Sequence, residues 1–123
     1  MPTIRIFIID DEAYVRIATI AYLAGFEDLL VVGEASDGSS AVATFREHSP
    51  TIILLDISMP KLNGFETAQR ILALDSKAKI IMLSSLSRKI CLEASLEVGA
   101  LDFVEKANYE ALVPAIRKIS LAA

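Results

Sequence analysis

The run Ile52-Ile53-Leu54-Leu55 contains no polar residue and stops at a single carboxylate, Asp56. Four consecutive apolar residues without alternation describe a strand covered on both faces, the situation of a strand inside a parallel sheet. Pro60 and Gly64 then mark a loop. Such a strand needs helices on both sides of its sheet, so the flanking segments decide whether the reading holds. Taken alone, Asp56 is as well explained as a turn former or helix cap.

The flanking segments alternate between strand and helix patterns. Thr3–Ile9 is β-branched and apolar, and reads as a first strand ending at Asp10-Asp11-Glu12. Helix formers continue to Ala24, with Gly25 at the C′ position. Val15, Ala18 and Tyr22, with Thr19, share one face of this helix, while Ile17, Ile20 and Ala21 make its other faces apolar too. Leu29–Ala35 is a second strand and Asp37-Gly38 a turn. Ser39–His48 is a helix with Ala41, Val42 and Phe45 at helical spacing, stopped by Pro50. The opening strand follows as the third. Asn63 or Gly64 begins the next helix, which carries Phe65, Ala68, Ile71 and Leu72.

Lys79–Leu83 is a fourth strand ending at Ser84-Ser85, and Ser87 caps a helix from Arg88 to Val98 that Gly99 ends. Leu101–Glu105 is a fifth strand, followed by Lys106. Tyr109–Leu121 is the last helix, with Tyr109, Leu112, Val113 and Ile116 inward. Pro114 lies beyond the first turn of a helix starting near Asn108, so a kink or a late start is expected. Five strand–helix repeats predict an α/β fold with a parallel sheet, helices on both faces and right-handed crossovers. The expected arrangement is a flavodoxin-like, doubly wound (βα)5 sheet in strand order 2-1-3-4-5, with its ligand site outside the carboxyl ends of the strands.

Composition excludes several other classes. At 123 residues the chain is one domain, and 54% hydrophobic content is enough for a core. No apolar run reaches the length of a membrane span, and the start, Met-Pro-Thr-Ile-Arg, is unlike a secretory signal. Cys91 is the single cysteine, so no internal disulfide can form, which fits a reducing, cytoplasmic compartment. Net charge is −4 with no Lys/Arg cluster, so direct nucleic-acid binding by this domain is not expected. His48 is the one histidine. It cannot supply a zinc site and reads as a solvated surface residue.

The polar residues that follow the strands gain meaning together. Strand one is followed by Asp10 and Asp11, strand three by Asp56, strand four by Ser84 and strand five by Lys106. In a parallel sheet these ends share one edge, and in the order 2-1-3-4-5 strands one and three are neighbours. Three carboxylates crowded together repel unless a cation intervenes. Oxygen ligands at a loop edge suit Mg²⁺ rather than zinc. A hydroxyl and an ammonium beside a metal are what an incoming phosphoryl group requires. The central carboxylate, Asp56, is then the nucleophile that would form an acyl phosphate.

Four stretches resemble the receiver domain of two-component response regulators. They are Asp10-Asp11-Glu12; Leu54-Leu55-Asp56-Ile57-Ser58-Met59-Pro60 with Asn63-Gly64; Ile80-Ile81-Met82-Leu83-Ser84; and Gly99 to Lys106. The resemblance covers essentially the whole chain. It implies that Asp56 is the phosphoacceptor and that Asp11, Asp10 and the backbone carbonyl of Ser58 join Asp56 in holding Mg²⁺. It further implies Ser84 as the switch hydroxyl, Lys106 as the phosphate-binding lysine and Phe103 as the switch aromatic. A sensor histidine kinase is the implied phosphodonor and partner, and a cytoplasmic signalling protein rather than an enzyme is the implied class.

The chain departs from the family pattern at Ala107, where many receivers carry a proline after a cis peptide; a cis bond to alanine is energetically disfavoured. Ala107 and the stretch Val32-Gly33-Glu34-Ala35-Ser36-Asp37-Gly38 resemble receivers that precede a LuxR-type helix-turn-helix output domain and regulate transcription. No such domain follows Leu121 here, which fits either a receiver-only regulator or a receiver cut at its linker. A homodimer formed on phosphorylation is expected to use the surface around Arg88–Val98, Leu101–Glu105 and Tyr109–Leu121, or the apolar side of helix one at Tyr14, Ile17 and Ala21. For helix one, a broad core face is an equally good reading. Two rivals stand beside the receiver. A haloacid-dehalogenase-like phosphatase also uses a strand-end Asp, but wants an acid where Ser58 stands and a cap domain. A pseudo-receiver would be an interaction module that takes no phosphoryl group.

Overall fold

A computed structural model describes residues 3–122. Five strands, β1 (Ile4–Ile9), β2 (Leu29–Ala35), β3 (Ile52–Leu55), β4 (Ile80–Ser84) and β5 (Asp102–Glu105), form one parallel sheet in the order β2-β1-β3-β4-β5. Between and after them run α1 (Ala13–Leu23), α2 (Gly38–Thr44), α3 (Gly64–Leu74), α4 (Arg88–Glu97) and α5 (Leu112–Ser120). The flavodoxin-like (βα)5 arrangement expected from the alternation is the one observed.

The sheet divides the core into two layers, because successive side chains of a strand point to opposite faces. Phe7, Ile9, Ile53, Leu55, Met82 and Phe103 pack with residues of α2, α3 and α4 on one side. Ile6, Ile8, Ile52, Leu54, Ile81, Leu83 and Val104 pack with residues of α1 and α5 on the other. This is why β3 had to be continuously apolar: every residue in it is buried. Among the described residues, no helix is long and apolar enough to cross a membrane.

Local chemistry accounts for most boundaries. Asn63 and Glu66 form a capping box at the start of α3, with Asn63 Oδ1 accepting from the Glu66 N–H at 3.0 Å. Gly99 ends α4 with φ +100, a conformation that suits glycine. A 3-10 turn over Tyr109–Ala111 delays α5 to Leu112, so Pro114 falls in the first turn, where its missing N–H costs nothing.

The structure corrects several expectations. Asp37-Gly38 is not a free turn: the Asp37 carboxylate accepts from the Ser40 N–H at 2.7 Å and caps α2. That helix gives way to a 3-10 turn at Phe45–His48 rather than running through. Gly25 follows α1 without a positive φ, because Ala24 and Gly25 close the turn through the carbonyls of Ile20 and Tyr22. Ser87 stands at the N-cap of α4 without a side-chain capping bond. The buried line of α1 is Val15, Thr19 and Leu23, and Ala18 and Tyr22 lie at its exposed border. Tyr14 and Ile17 are 68% and 67% exposed, so this helix has a narrow core face and an apolar outer one. His48 is half-buried, its ring 5.3 Å from that of Phe7.

Candidate functional site

The site forms where β1 and β3 end side by side. Ile9 pairs with Leu55, and the Asp56 N–H donates to the Ile9 carbonyl at 2.9 Å. Asp10 and Asp56 therefore emerge as neighbours, only 2% and 3% exposed, while Asp11 is less buried than either. Asp10, Asp11 and Asp56 each offer a carboxylate oxygen, and the three oxygens lie within 4.8 Å of one another.

Lys106 reaches into this group from the end of β5. Its Nζ lies 2.7 Å from Asp10 Oδ2 and 3.6 Å from Asp56 Oδ1. Asp10 is well satisfied, since its Oδ1 also accepts from the Glu12 N–H at 2.9 Å. Asp56 Oδ1 is buried with no hydrogen-bond partner, and an orphaned buried oxygen is costly unless a ligand completes it. Burial, with the Asp10 charge next, pushes the Asp56 carboxyl up to about 6; Lys106 and the Ser58 backbone N–H pull against them. Burial alone would depress Lys106, but its hydrogen bond to Asp10 and the Asp56, Asp10 and Glu12 charges hold the ammonium above its ordinary value.

The loop after Asp56 is shaped by close backbone approach. The Gly64 N–H and the Met59 N–H both donate to the Ile57 carbonyl, at 2.8 and 3.1 Å. A Cβ on Gly64 would collide with the Asp56 carbonyl and come within 2.6 Å of Ile57 Cα. Ser58 itself is exposed.

Of the remaining residues singled out in the sequence, Ser84 sits at the same sheet edge and Phe103 lies inside β5. Ser84 is fully buried, its Oγ accepting from the Leu86 N–H at 3.2 Å, while its carbonyl accepts from the Lys106 N–H at 2.8 Å. The structure thus gathers Asp10, Asp11, Asp56 and Lys106 into contact, whereas the Ser84 hydroxyl bonds its own loop. Phe103 is 1% exposed and its ring packs in the α2–α4 core layer. Every described peptide bond is trans, including that before Ala107.

Four supporting residues were not singled out as functional in the sequence. Arg16 donates to the Asp10 carbonyl and to Glu34 Oε1, each at 2.7 Å, and so holds the acidic turn. Its signal was its solitude as the one cation of an apolar helix. Arg88 donates from Nε to the Phe103 carbonyl at 3.1 Å and from its terminal nitrogen to Asp102 at 3.0 Å, tying α4 to β5. The Thr19 hydroxyl meets that of Tyr109 at 2.6 Å, a pairing across ninety residues that no local pattern announces.

Known proteins resemble this chain in sequence and in fold. Residues 6–117 match the family model for the response regulator receiver domain. The chemotaxis protein CheY of Thermotoga maritima is 35% identical over 94% of this chain and 97% of its own length. The response regulator domain of Thermotoga maritima CheB superposes with a TM-score of 0.90 at 31% identity, covering 98% of each chain. A LuxR-family two-component response regulator from Aurantimonas sp. SI85-9A1 superposes with a TM-score of 0.91 at 29% identity, over 96% of this chain and 85% of that one. With its fold order, its acidic edge and these matches in agreement, the chain belongs to the response regulator receiver domain family.

Proposed function

We propose that this domain takes a phosphoryl group from a sensor histidine kinase onto Asp56 and uses the change to remodel a protein-binding surface. The observation that carries the proposal is the Asp56 carboxylate: buried, raised in pKa and with Oδ1 unpartnered, between two further carboxylates and an ammonium.

The donor set fits Mg²⁺: all its ligands are oxygens, one from each of three carboxylates, and the orphan oxygen supplies an open valence. Asp10, Asp11 and Asp56 would hold the ion, with the backbone carbonyl of Ser58. Bound there, Mg²⁺ offsets charge on the oxygens of a transferring phosphoryl group. The protein's own part is positional. Ionised Asp56 attacks the phosphorus of a phosphohistidine or small acyl phosphate. The bond from phosphorus to the donor breaks, and its electron pair returns to the donor nitrogen or oxygen. Asp56 becomes an acyl phosphate carrying roughly −1.5 to −2 of charge. Lys106 swings from Asp10 toward the new oxygens, and the Ser84 hydroxyl leaves the Leu86 N–H to donate to them.

Because Ser84 ends β4 and Lys106 follows β5, the response emerges around α4, β5 and α5. Phe103 links it to the core, and Arg88 ties the same strand to α4. Ile90, Leu96 and Leu101 are exposed there, as Tyr14 and Ile17 are on α1, and one of these faces is the contact for a phosphorylation-dependent homodimer. Crosslinking before and after phosphorylation tests it, and identical patterns would rule it out. The reading makes the domain a cytoplasmic signalling module, regulating transcription through an output partner, with no turnover beyond gaining and losing its own phosphoryl group.

Neither rival is favoured. Ser58 stands where a dehalogenase-type phosphatase needs an acid, and the intact acidic cluster with Lys106 is unnecessary to a pseudo-receiver. The direct test is intact mass after incubation with a small phosphodonor and Mg²⁺. One phosphoryl adduct is expected, absent in Asp56→Asn; an adduct that survives this substitution overturns the assignment.

A further inference from the structure

The segment carrying Lys106 leaves the sheet on few backbone bonds. The Lys106 N–H donates to the Ser84 carbonyl at 2.8 Å and the Asn108 N–H to the Glu105 carbonyl at 2.9 Å. Ala107 and Asn108 are exposed, and alanine leaves φ freer than proline, which would fix it. The next side-chain anchor is Tyr109. Its hydroxyl lies 2.6 Å from that of Thr19, a residue fully buried in α1. Its ring meets the Tyr22 ring edge-on with centroids 5.4 Å apart, and Tyr22 meets Phe26 in the same way at 5.6 Å.

The two ends of this tie matter. Thr19 belongs to the helix that begins directly after Asp10, Asp11 and Glu12. Tyr109 lies three residues beyond Lys106. The hydroxyl pair therefore joins the element behind the acidic pair to the segment that presents the ammonium. A cleft of about 450 Å³ separates them, lined by Glu12, Tyr14, Ala18, Lys106 and Ala107, with Tyr109 as one wall. Ring packing alone would be served by phenylalanine, which brings no hydroxyl that must be satisfied. What the hydroxyl pair adds is direction, fixing how far the loop stands from α1.

We propose that Tyr109 and Thr19 are positioning residues for Lys106, bolting its loop to α1 so that the ammonium meets a phosphoryl group at Asp56 in a set geometry. The inference rests on the receiver reading above. It assigns to Tyr109 the restraint that Ala107 cannot provide.

The test compares wild type, Tyr109→Phe, Thr19→Val and the double variant, with acetyl phosphate varied at saturating Mg²⁺ and phosphorylation followed by intact mass. Losing one directional hydrogen bond should lower the maximum rate about five-fold in each single variant. The double variant should fall no further, since either change removes the same bond. Mg²⁺ affinity by calorimetry should be unchanged, because no metal ligand is touched. Thr19→Ser, which keeps the hydroxyl, should recover most of the rate. A purely structural role would lower the melting temperature and leave the maximum rate of the folded variants alone, and that result overturns the proposal. So does a double variant whose loss is the product of the single losses. A wild-type protein that takes no phosphoryl group would instead overturn the receiver reading on which the proposal rests.

Discussion

Lys106 Nζ stands 2.7 Å from Asp10 Oδ2 and 3.6 Å from Asp56 Oδ1, so it hydrogen-bonds the first carboxylate and only charge-pairs with the second. One ammonium serves three clustered carboxylates, and Asp56 bears the deficit. The chemistry of the site and its stability both follow from that imbalance.

The first consequence is a pH dependence of the metal-free protein. Burial and the Asp10 charge push the folded Asp56 carboxyl up to about 6, from an ordinary value of 3.8. Its stabilising contribution is thus full below the unfolded value and is lost as pH rises through about 6. Asp28, held down by its Arg117 hydrogen bond, and Asp37, held down by the Ser40 backbone N–H, behave oppositely. Their contributions are present above the unfolded value and are lost only in stronger acid. The urea midpoint should therefore fall between about pH 4 and pH 6 in wild type, and Asp56→Asn should flatten that slope. A wild-type midpoint that rises through the window would contradict the assignment.

Removing the ammonium should be costly in a metal-dependent way. Lys106→Ala strands a buried Asp10 and should destabilise the metal-free protein by about 2–3 kcal/mol, at or below the lower end for breaking a buried pair since the lysine keeps some exposure. Saturating Mg²⁺ should recover much of that loss, because the cation replaces the missing positive charge. Urea denaturation with and without the ion measures both quantities. An equal loss in the two conditions would mean that the cluster does not take the ion.

Gly64 is the backbone position on which the site loop turns. Gly64→Ala puts a methyl group against the Asp56 carbonyl and Ile57 Cα, and backbone cannot yield as a side chain can. We expect a loss of about 2–4 kcal/mol in urea denaturation, typical of strain at a tightly packed position, with slower phosphorylation in whatever fraction folds. A variant as stable and as reactive as wild type would show that the loop is free to shift.

Asn63→Ala should separate stability from chemistry. It removes the capping box of α3 and should cost about 1 kcal/mol. The Asn63 side chain bonds none of the three site carboxylates, Asp10, Asp11 and Asp56, so the phosphorylation rate of the folded variant should stay at the wild-type level.

Much of the fold was legible because the strongest signals are local. The bounds of β2 and β3 follow directly from their apolar content, and the strand-end residues Asp10, Asp56 and Lys106 arrive where a parallel sheet must place them. Helix ends were harder. Thr44 and Phe45 lie within one apolar pattern yet divide α-helix from 3-10 turn, and the delay of α5 to Leu112 was foreshadowed only by Pro114. The core face of α1 is ambiguous in the sequence because apolar or amphipathic side chains occur all round the helix; what buries Val15 and Leu23 rather than Ala18 and Tyr22 is where α5 and the sheet lie, a tertiary fact. For the same reason Thr19 and Tyr109, Arg16 and Asp10, or Arg88 and Asp102 could not be paired in advance. Each residue was visible, but the partner depended on helix placement to within an ångström or two.

Every functional step proposed for this domain depends on Asp56 becoming an acyl phosphate. Borohydride reduction cleaves an aspartyl phosphate to homoserine and leaves free carboxylates intact, so it marks the phosphorylated position in a peptide mass map. After treatment with acetyl phosphate and Mg²⁺, reduction should mark residue 56 alone, and no mark should appear when the ion is chelated. A mark on Asp10 or Asp11, or phosphate retained on a serine with residue 56 unmodified, would contradict it.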